Sequence, residues 1–184
     1  MNLHIPLKAP RPITYSMTDE EIEYMNKQAF EISQCPVRSR GREHQQCLNA
    51  TRSGAILEFA LVLQGATKNP KEFDPSDRDS YAWDVVWDGG QTEVKRKNFL
   101  SNDNTKWYSY NDPAYVKTFL KNLDIVEHFI VGDYKVVEAN LFQVEWMLIT
   151  KVGTHFRNYM QKSLYNSGQM YYNHYNDKNC QYLR

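Results

Sequence analysis

The stretch from Tyr81 to Lys97, YAWDVVWDGGQTEVKRK, decides the fold. Two runs rich in β-branched and aromatic residues, YAWDVVW and QTEVKRK, flank the turn signal DGG, which predicts a β-hairpin. With Gly89-Gly90 as the two central turn residues, we expect Asp84 to lie opposite Lys95. Because opposed residues share a face, and the face repeats every second residue, Asp84, Glu93 and Lys95 should project to one side. The other side is apolar and consists of Trp83, Val85, Trp87, Thr92 and Val94.

Two carboxylates and one ammonium on a single face suit a hard divalent cation. Mg²⁺ prefers oxygen ligands and usually takes one or two carboxylates, completing its shell with water and substrate phosphate. A lysine beside that ion can hold or deprotonate the attacking water and touch the scissile phosphate. Without a cation the two acids would repel each other, which raises the pKa of one of them. The alternative is a charged sheet face that simply meets solvent.

Glu58 is the second unusual acid. A helix is predicted over 48–64 with Gly65 as its C-terminal cap, and Ala55–Leu63 is apolar apart from Glu58. Burying an unpaired carboxylate costs several kcal/mol, so Glu58 needs a cation, hydrogen bonds or solvent. A helix-edge position satisfied by Arg52 or by water is the alternative.

The remaining segments complete an alternation of helices and strands. Before residue 48 the pattern predicts an extended arm over 1–16, a helix from Thr18 that ends before Pro36, and a basic turn over 37–46. After the hairpin it predicts a helix from Asp112-Pro113 to residue 123, and strands over 125–131 and 134–138 joined by a Gly132-Asp133 turn. Residues 139–163 are ambiguous and slightly favour a helix, and a tyrosine-rich tail follows.

Glu58, Asp84 and Glu93-Val94-Lys95 together resemble the PD-(D/E)XK nuclease superfamily, with a helical glutamate, a strand aspartate and a (D/E)-x-K motif on the next strand. The resemblance covers residues 48–131. It implies an α/β, restriction-endonuclease-like core with a central mixed β-sheet flanked by helices, and extra helical segments at both ends. We therefore expect residues 1–184 to form one nuclease domain, with 132–184 as a C-terminal extension.

The chain departs from the superfamily pattern in two places. The strand that usually separates the first helix from the aspartate strand has only a short candidate near Lys71–Phe73. In addition, Ala82-Trp83 stands where a proline often precedes the aspartate.

The resemblance also implies roles for individual residues. Asp84 and Glu93 would be metal ligands, with the carbonyl of Val94 as a third. Lys95 would be the catalytic lysine, and Glu58 an outer or second metal ligand. The implied activity is Mg²⁺-dependent endonucleolytic hydrolysis of DNA, with Mn²⁺ as a substitute ion; an exonuclease and an RNA substrate stay open.

Basic residues near this motif are candidates for nucleic-acid contacts. Arg96 and Lys97 directly follow the lysine, and Lys97 shares its strand parity. We also expect Arg52 and Arg42 to contact DNA. Arg42 belongs to a short basic segment with Arg38 and Arg40, which either clamps phosphates or forms a solvated turn.

Composition limits the remaining function classes. The 184 residues carry 22 basic and 22 acidic side chains, so a polyanion must meet a local basic patch. No apolar run approaches the roughly 18 residues of a spanning helix, which excludes a membrane span, and the absence of a Gly-rich phosphate loop argues against ATP hydrolysis. Three cysteines without CxxC spacing indicate a reducing cytoplasm. Low Gly and Ala content beside many Tyr, Asn and Lys residues is typical of an AT-rich genome, phages included. For a phage protein the cytoplasm would be that of the host.

Two other classes of function compete with a nuclease. One is a non-catalytic nucleic-acid-binding or interaction protein on the same fold. The other is a structural phage protein without a ligand. The tyrosine-rich tail could pack on the domain, bind nucleic acid or bind a second subunit, which leaves a homodimer open.

Overall fold

The structure is a computed structural model that describes residues 7–96, 100, 109–110, 122, 124–152, 160–162, 170–172 and 180–182. In this part of the chain it has three α-helices, α1 (Asp19–Gln34), the short α2 (Pro36–Ser39) and α3 (His44–Val62), and a turn of 3₁₀ helix at Arg78–Ser80. The ten described strands are β1 (Ile13–Ser16), β2 (Thr67–Lys68), β3 (Val85–Trp87), β4 (Gly90–Arg96), β5 (Ser109–Tyr110), β6 (His128–Glu138), β7 (Leu141–Lys151), β8 (Met160–Lys162), β9 (Met170–Tyr172) and β10 (Cys180–Tyr182).

The helix ends follow local capping chemistry. Thr18 and Glu21 form the predicted capping box that begins α1, and the helix ends just before Pro36. α3 begins at His44, four residues earlier than predicted, because a second capping box starts at Glu43. Gly65, with φ of 104°, lies just beyond its C-terminus, where the predicted cap was placed.

The main sheet is mixed, with the strand order β1-β7-β6-β4-β3-β2, and β10 also pairs with β7. Its one parallel pair in the described part of the chain joins β4 to β6; the other pairs of this sheet are antiparallel. β2 is the short strand expected before Asp84, although it lies at residues 67–68 and not near 71–73. Strands β5, β9 and β8 form a separate small sheet.

The central hairpin turns one residue earlier than predicted. Trp87 pairs with Gly90, so Asp88 and Gly89 are the central turn residues, with φ of 49° and 80°. Two positive φ angles are typical of the Asp-Gly turn that matches strand twist. Gly90 instead belongs to β4, where a Cβ atom would lie 2.2 Å from Nε2 of His128. This register places Asp84 opposite Glu93 and not opposite Lys95. Because the shift is two residues, Asp84, Glu93 and Lys95 still share one face.

The predicted turn at Gly132-Asp133 is wrong. β6 runs through both residues with a register irregularity after Val131. The glycine serves close packing, because a Cβ atom on Gly132 would lie 2.7 Å from the indole of Trp146.

The ambiguous region and the extra C-terminal helices are also corrected. Residues 141–151 form β7, in which Phe142, Val144 and Trp146 are buried and alternate with more exposed residues. This period of two is that of a strand. In the described part of the C-terminal extension, the regular elements are strands. The predicted helix over 112–123 lies outside the described residues, apart from Asn122.

The core joins α3 to the sheet. Ile56, Leu57 and Leu61 of α3 are fully buried in one hydrophobic cluster with Val85 and Ile130 of the sheet. α1 packs against α3, so the helices and the mixed sheet form an α/β fold. Among the described residues, no helix combines the length and apolar character needed to cross a bilayer.

Candidate metal and phosphate site

Asp84, Glu93 and Lys95 meet on one face of the hairpin, as predicted. The Nζ atom of Lys95 lies 2.5 Å from Oε1 of Glu93 and 3.8 Å from Oδ2 of Asp84. That Asp84 oxygen also accepts a hydrogen bond of 2.8 Å from the backbone N–H of Val94. The opposite face is buried, from Trp83 to Val94. The fold therefore holds the three charged groups together at the start of β3 and along β4.

The ionised form of Glu93 is electrostatically disfavoured in this site. Burial raises the pKa of Glu93 to about 7, and the charge of Asp84 adds to this shift. The Lys95 ammonium acts in the opposite direction but does not cancel the effect of burial. Since burial disfavours the Glu93 carboxylate more than the Lys95 ammonium favours it, an additional cation would be favoured here.

Glu58 lies on α3 near this cluster, with a side chain that is 21% exposed. Burial raises its pKa, and repulsion from Asp84 adds to the rise. Its direct partner is Lys68 of β2, whose Nζ atom lies 3.1 Å from Oε2. Glu58 is thus coupled electrostatically to the trio of Asp84, Glu93 and Lys95, but its carboxylate has a separate lysine partner.

A cleft of about 650 Å³ opens at the trio. Its lining combines the charged cluster with arginines and aromatic residues: Asp84, Glu93 and Lys95, then Arg38, Arg40 and Arg42, then Phe73 and Tyr81, among others. The arginines come from α2 and the turn that follows it. The basic segment is therefore placed beside the carboxylates, where an anionic ligand would meet both.

Two arginines of the cleft are held in defined positions. Arg42 donates from Nε to the carbonyl of Ser39 and from Nη2 to the carbonyl of Arg38, which ties the end of α2. The guanidinium of Arg38 stacks on Phe73 at 4.2 Å from the ring centroid. An arginine held in this way can present its charge to a phosphate with little further loss of conformational freedom.

The other basic candidates are not brought into the cleft. The guanidinium of Arg96 bonds to the buried Asp133 at 2.9 Å and stacks on Tyr134, so it stabilises the fold. Arg52 donates to the carbonyl of Ala139 at 2.8 Å, and is neither the partner of Glu58 nor part of the cleft lining. Lys97 lies outside the described residues.

The two carboxylates of Asp84 and Glu93 form a donor set that fits Mg²⁺. Asp84 and Glu93 supply hard oxygen ligands, and an ion would stabilise the carboxylate of Glu93, which burial disfavours. Among the described residues, no three His, Cys, Asp or Glu side chains are grouped to hold a metal ion together. A magnesium ion here would therefore depend on two carboxylates, with water and substrate completing its shell.

Sequence reasoning missed Lys68, and it could not show that Arg38 and Arg40 line the same cleft as the trio. The signal for Lys68 was the short run Thr67-Lys68 after the Gly65 cap, which pairs with Val85-Val86. No protein-family model, curated protein or solved structure gives a significant match to this chain.

Proposed function

We propose that this protein is a Mg²⁺-dependent nuclease that hydrolyses phosphodiester bonds of DNA. The observation that carries the proposal is the convergence of Asp84, Glu93 and Lys95 at a cleft whose lining includes three arginines. Carboxylates alone would repel a polyanion. A cation on the carboxylates, with arginines beside it, converts the same cleft into a phosphate site.

Each side chain has a distinct task in this mechanism. Asp84 and Glu93 bind the divalent ion, which when bound lowers the pKa of water and offsets charge on the phosphate. Lys95, between both carboxylates, positions the attacking water for in-line attack on phosphorus. Arg38, Arg40 and Arg42 hold the phosphate backbone, because all three line the cleft that contains the trio.

The Asp84–Val94 hydrogen bond supports this division of labour. One oxygen of Asp84 is held by the backbone N–H of Val94, which fixes the plane of its carboxylate. A preorganised ligand loses little freedom when the ion binds.

We place the activity in the cytoplasm, that of the host if the chain is phage-encoded.

The test is digestion of end-labelled single-stranded DNA, double-stranded DNA and RNA in Mg²⁺, Mn²⁺ or EDTA. We expect cleavage of DNA with either ion and none in EDTA. Asp84→Asn should abolish cleavage, while Lys71→Met, which removes an exposed lysine paired with Asp77, should leave it intact. DNA binding without cleavage under every condition would favour the non-catalytic binding protein instead.

A further inference from the structure

The Lys68 ammonium contacts three side chains, one of which is the carboxylate of Glu58. Its Nζ atom lies 3.1 Å from Oε2 of Glu58, 4.3 Å from the ring centroid of Phe59 and 4.7 Å from that of Tyr24. Its side chain is only 23% exposed. An ammonium between a carboxylate and two aromatic faces has both its charge and its apolar stem satisfied.

Three elements of the fold create this arrangement. Lys68 comes from β2 and lies opposite Val85, the residue after Asp84. Glu58 and Phe59 come from α3, and Tyr24 comes from α1. Because the backbone of each element is fixed by its own packing, bringing the ammonium to Glu58 requires no further ordering of the chain.

The balance of charge near the trio limits how many divalent ions can enter. Glu58, Asp84 and Glu93 carry three negative charges when ionised, and Lys68 and Lys95 carry two positive ones. The sum for these five groups is −1, so one divalent ion brings it to +1, and the arginines of the cleft add further positive charge. A second ion would bring it to +3 and would have to remove Lys68 from Glu58.

We propose that Lys68 is a positioning residue that retains Glu58 and thereby restricts the centre to one divalent cation, bound by Asp84 and Glu93. This inference rests on the proposed function. It assigns Glu58 to the lysine and not to a metal ion, and it makes the Lys68 ammonium the fixed cation where a second ion would otherwise bind.

The experiment is titration of the chelator-treated full chain with Mn²⁺, followed by isothermal calorimetry and by the electron paramagnetic resonance signal of free Mn²⁺. We expect one ion per chain for the wild type and two for Lys68→Met, because the freed Glu58 then becomes a ligand. The double variant Lys68→Met/Glu58→Gln should return to one. The control Lys71→Met, in an exposed lysine, should bind one ion like the wild type.

The outcomes separate the inference from the proposed function. Two ions on the wild type, or one ion on a folded Lys68→Met variant, would overturn the inference and leave the nuclease proposal standing. No ion on the wild type would overturn both. If circular dichroism shows that Lys68→Met is unfolded, Glu58→Gln decides: one ion on both it and the wild type supports the inference, and a fall from two ions to one contradicts it.

Discussion

Replacing Glu93 by Gln should remove a pH dependence of stability that the chain owes to this one carboxyl group. In the unfolded chain the carboxyl loses its proton near pH 4.5, whereas in the fold burial raises its pKa to about 7. Between these values the folded chain keeps a proton that the unfolded chain has lost. The contribution of Glu93 to stability is therefore complete below about pH 4.5 and is lost as the pH rises through 7.

The pKa difference corresponds to about 3 kcal/mol, at roughly 1.4 kcal/mol per pH unit. The Glu93 side chain is only 11% exposed, so solvent screens this effect weakly. The assay is urea unfolding of the wild type and Glu93→Gln in EDTA between pH 5 and 8. The free energy of unfolding of the wild type, relative to the variant, should fall by about 2 to 3 kcal/mol across this range, because a small part of the loss lies below pH 5.

Magnesium provides a second readout of the same group. If Mg²⁺ binds at the proposed site, it competes with the proton for Glu93; it should then stabilise the wild type more at pH 8 than at pH 5, and Glu93→Gln much less at either pH. A difference between the two proteins that stays constant with pH in EDTA would refute the assignment of the raised pKa to Glu93.

Three further predictions concern the proposed role of Lys95 and the packing of β4 against β6. Lys95→Ala should lower kcat by a factor on the order of 10²–10⁴ with little change in DNA affinity, measured by single-turnover cleavage and filter binding; near wild-type turnover would remove Lys95 from the mechanism. Gly90→Ala should destabilise the fold by about 1–3 kcal/mol, because the new Cβ would meet the His128 imidazole, and adding His128→Ala should recover part of the loss in thermal unfolding; additive losses would contradict this packing. Arg96→Ala should cost about 3–5 kcal/mol by leaving the buried Asp133 without its guanidinium, and a loss below 1 kcal/mol in urea unfolding would show that the pair is not structural.

The hairpin and its charged face could be predicted because they depend on local chemistry. The Asp-Gly signal locates the turn, and alternation assigns the faces even though the turn lies one residue from its predicted place. The N-terminal cap of α1 and the glycine after α3 are equally local signals. These features need no knowledge of distant residues.

The errors arose where tertiary packing decides the local structure. Gly132 suggested a turn, but it is in a strand because Trp146 occupies the space of a side chain. Lys68 was not singled out from the sequence, since its partner Glu58 and the Tyr24 ring meet it only when α1, α3 and β2 assemble.

Arg96 is another residue whose partner in the fold could not be identified from the sequence. Its position after Lys95 suggested a contact with DNA, whereas its guanidinium pairs with Asp133, which lies 37 residues further along the chain. Strand parity separates the two side chains, because Arg96 and Lys95 project to opposite faces of β4. The charge of a residue was visible in the sequence, but its partner was not.

The most direct test of the central proposal compares DNA cleavage by Asp84→Asn and Asp88→Asn in Mg²⁺. Both variants change one aspartate of the same hairpin to its isostere, but Asp84 lies in the charged cluster and Asp88 is an exposed turn residue bonded to the backbone N–H of Lys8. The account predicts that Asp88→Asn cleaves like the wild type and that Asp84→Asn, folded by circular dichroism, does not cleave. Cleavage by Asp84→Asn at the wild-type rate would contradict the assignment of this cluster as a nuclease centre.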